Sequence, residues 1–299
     1  MISFKSIIAF VLMLAINIGY SQQVDILKSG VENWNKWRKE NTTIIPRLDS
    51  VDLKGADLKG ADLKRANLGY AILVRADLRG ADLVDAILVR ADLRGANLVD
   101  AIFLRANFGG ADLGGANLGG ADLNGADLEG ANLGGTDLEL ADLELADLGG
   151  VDLKGADLRG ADLELADLEG SNFEGADLRE ADLELADLEG GNFERADLQG
   201  ADLQKTDLEG NNLEGAFLGG ANLAGANLAG ANIMGTDLSK VKSFYKAKLD
   251  SGILSEIKTN WPEELATIWD NTQKDWVIDT TLLEQIKKPD WHGWQEGKD

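Results

Sequence analysis

The chain has 299 residues but no cysteine, one histidine, three prolines and three methionines. Without cysteine there is no disulfide framework, no thiolate zinc site and no cysteine nucleophile. One histidine excludes a multi-histidine metal site and argues against a histidine-based catalytic triad. Aromatic residues are only 6% of the chain, and 29 Lys+Arg stand against 52 Asp+Glu, a formal net charge of -23. A chain-wide basic footprint for nucleic acid is therefore missing. The apolar fraction of 44% separates the chain from disordered acidic tails.

What is present begins with a leader. Lys5 precedes an apolar run from Ile7 to Ile18, 12 residues long, against the roughly 20 that a membrane span needs. Gly19 and Ser21 stand at the -3 and -1 positions before Gln22. Residues 1–21 read as a secretory signal peptide, and the absence of a following cysteine excludes a lipoprotein anchor. The expectation is an exported chain, periplasmic or extracellular, with no transmembrane span after cleavage.

The middle of the chain is one repeat. From Leu53 to Leu238 an apolar residue recurs every fifth position at 38 sites: 33 Leu, the four phenylalanines Phe103, Phe108, Phe173 and Phe193, and Ile233. Two residues earlier stands Ala at 30 of the sites, and between them Asp at 23 and Asn at 11. Gly occupies 23 of the positions two residues after the central site, so the unit reads A-(D/N)-L-x-G.

Period five excludes a helical core face, because five steps turn about 140° around a helix and scatter the leucines over all sides. A short strand fits instead. Ala and Leu, two apart, share one face, and the Asp or Asn between them points outward. The other two residues must turn the chain, and Gly at the second supplies the positive φ of a type II turn. The Asp or Asn is placed to hydrogen-bond the turn backbone. Where Gly is missing, as at Leu140, Leu145, Leu165 and Leu185, a type I turn is expected, since it needs no positive φ. Ordering five residues costs roughly 5–10 kcal/mol of backbone entropy, whereas one buried Leu returns about 1.5–3 kcal/mol. A lone unit cannot fold, so coils must stack and their ends need covering.

Repeated A(D/N)LxG over residues 51–240 resembles the pentapeptide-repeat family. The resemblance implies an all-β solenoid, a right-handed four-sided β-helix with four units per coil. Segments 161–180 and 181–200 match at 16 of 20 positions, one such coil, while 71–85 and 86–100 match at 14 of 15, which is three units. The family also includes DNA mimics that bind DNA gyrase.

All seven Trp and all three Pro lie outside the repeats. Residues 22–50 are expected to form an N-terminal helical cap. Val24, Leu27, Val31 and Trp34 fall at helical spacing, with Trp37 beyond, in one amphipathic helix over 23–40. Residues 241–299 are expected to form a C-terminal cap and helical tail. Ala247-Lys248-Leu249 repeats the motif one residue out of phase, predicting a last imperfect coil. Ile253, Leu254 and Ile257 suggest a helix. Pro262, followed by Glu263 and Glu264, starts another, with Leu265, Ile268, Trp269, Thr272 and Trp276 along one side. A shorter helix runs through Leu282, Leu283 and Ile286, and the end from Asp290 is expected to fray.

No catalytic constellation, cofactor-binding motif or metal-ligating set emerges, so no residue is assigned to any of these roles and no enzyme activity is expected. His292 beside Trp291 reads as a tail residue, and Trp291 with Trp294 as a weak candidate for carbohydrate stacking. Paired carboxylates arise here by repetition alone, and the glycines have the period of the corners, not of a phosphate loop.

Charge is the informative surface feature. Residues 51–110 carry nine basic and eight acidic groups, whereas residues 111–240 carry six basic and 29 acidic, so the acidity is polarised along the chain. At a twenty-residue coil, Glu144/Glu164/Glu184, Glu169/Glu189/Glu209 and Glu174/Glu194/Glu214 stack as like-charge ladders, an arrangement that needs solvation or a cationic partner. Tyr70, Ile72, Val74, Val84, Ile87, Val89, Val99, Ile102 and Leu104 sit at outward positions, as does a cleaner stripe of Leu145, Leu165 and Leu185. The expected function is a non-enzymatic structural or protein-interaction rod whose partner is a protein, with no direct nucleic-acid binding; a homo-oligomer is left open. The alternative is a DNA-mimic binder of a topoisomerase, opposed by the signal segment. Cation binding by the ladders is a weaker third reading, because hard cations want six or more oxygens.

Overall fold

The computed structural model describes residues 19–270 and 275–288. The repeat region is a β-helix solenoid. Parallel bridges join residues twenty apart without interruption, from Arg47↔Asn67 to Phe217↔Asp237, so one coil takes four five-residue units. The bridging residue occupies the Asp or Asn position of each motif, filled by Ile at 72, 87 and 102 and by Phe at 217. Around it, Leu53 N donates to Ile72 O (2.8 Å) and Ile72 N to Val51 O (2.9 Å), and the same pair of bonds repeats from coil to coil. The inward Ala and Leu side chains form one continuous buried core, with Ala56 and Ala231 near its two ends only partly buried. Phe173 and Phe193, one coil apart, stack with ring centroids 4.5 Å apart, and Phe103 meets Phe108 edge-on at 5.0 Å.

Each corner closes by an i to i+3 bond, as Ala56 N to Leu53 O at 3.0 Å. Gly55 has φ +65. The corners without glycine do the same, contrary to the type I turns expected there: φ is +58 at Leu140, +60 at Leu145 and Leu165, and +63 at Leu185. The reason is the ladder. Types I and II differ by a flip of the central peptide, and here that peptide is itself bonded between coils. Leu145 N donates to Glu164 O at 3.0 Å, and Gly125 N donates to Glu144 O at 2.9 Å. A type I turn would invert both bonds, so stacking imposes the left-handed corner on leucine.

The expected single helix over 23–40 is two. The described part of α1 covers 19–28, and α2 spans Val31–Glu40, with Gly30 between them at φ 119 and ψ 154. Such an extended left-sided backbone suits glycine and breaks the helix. Leu27 and Trp34 are buried. Side chains of α2 meet the first coil where a preceding coil would have paired. Trp34 Nε1 donates to Asp62 O (2.7 Å), Asn35 Oδ1 accepts from Asp62 N (2.8 Å), and Arg38 Nη2 donates to Lys64 O (3.1 Å).

At the other end the bridging step lengthens to twenty-one, at Asn222↔Ser243 and Asn227↔Lys248, the out-of-phase coil expected from Ala247-Lys248-Leu249. Helix α3 (Ser251–Asn260) follows, then α4 (Pro262–Ala266). Phe244 N donates to Glu264 O in α4 (2.8 Å), in place of a ladder bond to a further coil, and the Ser243 side chain donates through Oγ to Thr267 O (2.6 Å), just after α4. The helix expected to run on to Trp276 ends at Ala266. Strands β1 (Thr267–Asp270) and β2 (Asp275–Ile278) pair antiparallel instead. The β-branched and aromatic run Thr267-Ile268-Trp269 fits a pleated strand better than a helix. Helix α5 (Thr280–Ile286) is capped by Asp279, whose carboxylate accepts from Thr281 N and Leu282 N. His292, Trp291, Trp294 and the end from Asp290 lie outside the described residues, as do residues 1–18 of the expected signal.

Candidate interaction surface

The outward Asp and Asn side chains work first for their own turns. Asp52 Oδ1 accepts from Lys54 N at 3.1 Å and Asp162 Oδ1 from Glu164 N at 3.0 Å, a bond repeated along the solenoid. Where Arg follows at the next outward position, Asp and Arg pair side by side. Arg79 on Asp77, Arg94 on Asp92, Arg159 on Asp157 and Arg179 on Asp177 each make two or more such bonds. These guanidiniums hold the carboxyls below their ordinary range, Asp77 at about 2.

The acidic ladders are different. Glu144 accepts from Asn124 Nδ2 at 3.0 Å, and Glu184 pairs with Lys205 Nζ at 2.7 Å, but Glu164 between them makes no ion pair among the described residues. Partial desolvation, then the charges of Asp182, Asp162, Glu144 and Glu184, push its carboxyl up. Asp182 is raised by burial and by Asp202 and Asp162. On the adjoining side Glu189 is raised by desolvation, Glu209, Asp207, Glu169 and Asp187. At the end of that ladder, Glu209 is lowered by Asn227 and Lys248. Each of these two ladders is therefore offset by a lysine at its C-terminal end, Glu184 by Lys205 and Glu209 by Lys248, while Glu164 and Glu189 lack one. The third ladder is quenched from within, since Lys154 Nζ reaches Glu174 (2.8 Å) and Arg195 reaches Glu194 (3.3 Å).

Leu145, Leu165 and Leu185 form a straight column at the corner between the first two ladders, 54%, 44% and 42% exposed. Leu140, the most exposed leucine among the described residues, belongs to another corner, where its Cδ2 lies over Gly160. Of the outward apolar residues on the basic half, Tyr70, Ile72, Ile87 and Ile102 are exposed, and Val74, Val84, Val89, Val99 and Leu104 are half-buried. Phe217 and Met234 are exposed too and were missed in the sequence. Phe217 was legible, because it replaces the outward Asp or Asn of its unit.

Asp137, Glu139 and Asp157 bring three carboxylates close enough to share a cation. Arg159 already fills that role, with Nη2 2.9 Å from Glu139 Oε2 and 2.7 Å from Asp157 Oδ2. Lys54, Val74, Arg75 and Arg94 line a shallow depression on the basic half.

The family model described as pentapeptide repeats matches in overlapping copies over residues 47–144 and again over residues 146–239. No protein with a curated description matches the chain. Among solved structures, the chain is 37% identical to HetL, a pentapeptide repeat protein involved in heterocyst differentiation regulation from the cyanobacterium Nostoc sp. strain PCC 7120. That match covers 69% of this chain and 94% of HetL, with a TM-score of 0.37. A pentapeptide repeat protein from the Arabidopsis thaliana thylakoid lumen is 28% identical over 46% of this chain and 88% of its own, TM-score 0.32. QnrB1, a plasmid-mediated fluoroquinolone resistance protein, is 21% identical over 50% and 87%, TM-score 0.32. The unbroken five-residue motif, the twenty-residue bridging step and the family match lead to one statement: this chain belongs to the pentapeptide-repeat proteins.

Proposed function

We propose that the protein is an exported, non-enzymatic interaction rod. In this reading it is a right-handed, four-sided β-helix closed by short helical caps at both ends, and it meets protein partners through its acidic flank. The observation that carries the reading is the pair of adjoining carboxylate ladders whose middle members, Glu164 and Glu189, have raised pKa values and no ion pair among the described residues. Like charges stacked across a sheet cost stability, and a cationic partner surface relieves that cost on binding. Residues 1–21 support export. The test has two parts. Fractionation of cells expressing the full chain should find it outside the cytoplasm with residues 1–21 removed. Crosslinking in the same fraction should then capture a protein that a Glu144→Gln/Glu164→Gln/Glu184→Gln variant does not. An uncleaved cytoplasmic chain rejects the export, and equal capture by the variant rejects the acidic flank.

Mimicry of DNA toward a topoisomerase is the second reading, and charge density favours it. The 26 units of residues 111–240 carry a net charge of -23. At a coil spacing of about 4.8 Å they extend about 31 Å, about one charge per 1.4 Å, against about one per 1.7 Å in duplex DNA. Gyrase supercoiling that is unchanged by micromolar protein would reject it.

A further inference from the structure

We propose that the column Leu145–Leu165–Leu185 is a docking line for a cationic amphipathic α-helix of a protein partner, laid parallel to the solenoid axis. This deepens the interaction-rod reading and rests on it. The corner position that these leucines occupy favours glycine, since φ is +60 at Leu145 and Leu165 and +63 at Leu185. Leucine there is held in a left-handed backbone that L-residues avoid. It is also left in contact with water, so the fold gains neither relaxed geometry nor full burial from it.

The column has sharp ends. Reading up the same corner from coil to coil, the residues are Arg105, Gly125, Leu145, Leu165, Leu185, Lys205 and Gly225. The neighbouring outward column reads Leu104, Asn124, Glu144, Glu164, Glu184, Gln204 and Ala224, so apolar edge and acidic ladder occupy the same three coils. On the other side of the corner lie Asp147, Asp167 and Asp187, with Glu169 and Glu189 beyond them. The surface is thus an apolar line between two anionic rails.

Its spacing selects the occupant. Coils repeat every 4.8 Å or so. On an α-helix, residues three and four apart rise about 4.5 and 6 Å. A helix lying along the axis therefore sets about one apolar residue against each leucine, and the lysines and arginines flanking its stripe reach the two rails. A second copy of this chain fits less well. The exposed isoleucines of its basic half, Ile72, Ile87 and Ile102, recur at fifteen-residue steps, so they wind around the rod and offer no straight line.

Calorimetric titration of the full chain tests this with two synthetic peptides of about 18 residues. One carries leucines at alternating three- and four-residue spacing with lysines flanking them; the other has the same composition with the leucines scattered. The expected result is binding of the striped peptide at least about tenfold tighter. A Leu145→Gly/Leu165→Gly/Leu185→Gly variant should bring the two peptides to equal affinity with its thermal unfolding unchanged. Should that variant be unfolded, Leu145→Asn/Leu165→Asn/Leu185→Asn replaces it, because Asn accepts the left-handed corner. Equal affinity of both peptides for the unaltered chain overturns the docking line while leaving the acidic interaction surface in place. Loss of stability in both variants, or an oligomer of the unaltered chain that both variants abolish, also overturns it. The leucines would then serve the fold or self-association.

Discussion

Gly191 and Asn211 stand one above the other in the same inward column, and a Cβ on Gly191 would lie 3.0 Å from Asn211 Oδ1, 3.1 Å from Leu188 O and 3.1 Å from Phe193 Cε2. Elsewhere this column position is usually alanine. Here the methyl missing at 191 makes room for an amide that is fully buried and whose nitrogen and oxygen have no partner. A buried, unpaired polar group costs about 1–3 kcal/mol. Asn211→Ala is therefore expected to stabilise the fold by about that much. Gly191→Ala alone is expected to destabilise by about 1–3 kcal/mol through overpacking. The double variant should exceed the sum of the two, as read by urea unfolding in a double-mutant cycle; simple additivity would contradict the shared column.

The acidic ladder makes a pH statement of unusual sign. Glu164, Asp182 and Glu189 have raised pKa values in the folded chain. The native state then binds protons more readily than the unfolded one, so the contribution of these groups falls as pH rises from about 4 through their raised values. Glu164→Gln is expected to raise Tm at pH 7, with the gain shrinking in added salt and vanishing once acid has protonated the ladder. A Tm gain independent of pH would contradict this.

Asp177 runs the other way, since Arg179 lowers its pKa. Its stabilisation is present above the ordinary carboxyl range and is lost as pH falls through the depressed value. Asp177→Asn is expected to cost up to about 1 kcal/mol at pH 7, the gap from the unaltered chain closing in acid. Thermal unfolding across pH 2 to 8 measures both effects.

Trp34 ties α2 to the first coil by full burial and by the Nε1 bond to Asp62 O. Trp34→Ala should cost about 3–5 kcal/mol. Because a solenoid is held by nearest-neighbour terms, the loss should be local. Amide exchange is expected to quicken at Leu63 and its neighbours before Leu128 responds, and uniform quickening would argue against end-fraying.

The repeat was legible because period five is a property of the sequence itself: Leu128 and Leu148 are buried as their spacing requires. The twenty-residue step came from the family resemblance, and the bridges carry it through the whole repeat. The corners at Leu145 and Leu165 were misread because a turn judged alone can relax to type I, whereas this turn's central peptide is bonded to both neighbouring coils. The flanks were harder. Gly30 splits a helix that periodicity reads as continuous, and Thr267-Ile268-Trp269 fits helical spacing until pairing with Asp275–Ile278 decides for strand. The leucine column was visible at twenty-residue spacing, but the quenching of Glu184 by Lys205 needs coordinates, since those residues meet across coils.

The ladders and the leucine line both depend on residues twenty apart lying one coil apart. Having no cysteine, the chain accepts a unique labelled pair, and Glu129→Cys with Ala229→Cys places two spin labels five coils apart on one face. Double electron–electron resonance should give a narrow distance distribution near 24 Å, at about 4.8 Å per coil. A broad distribution, or one centred beyond about 40 Å, would contradict the stacked coils and the surface built on them.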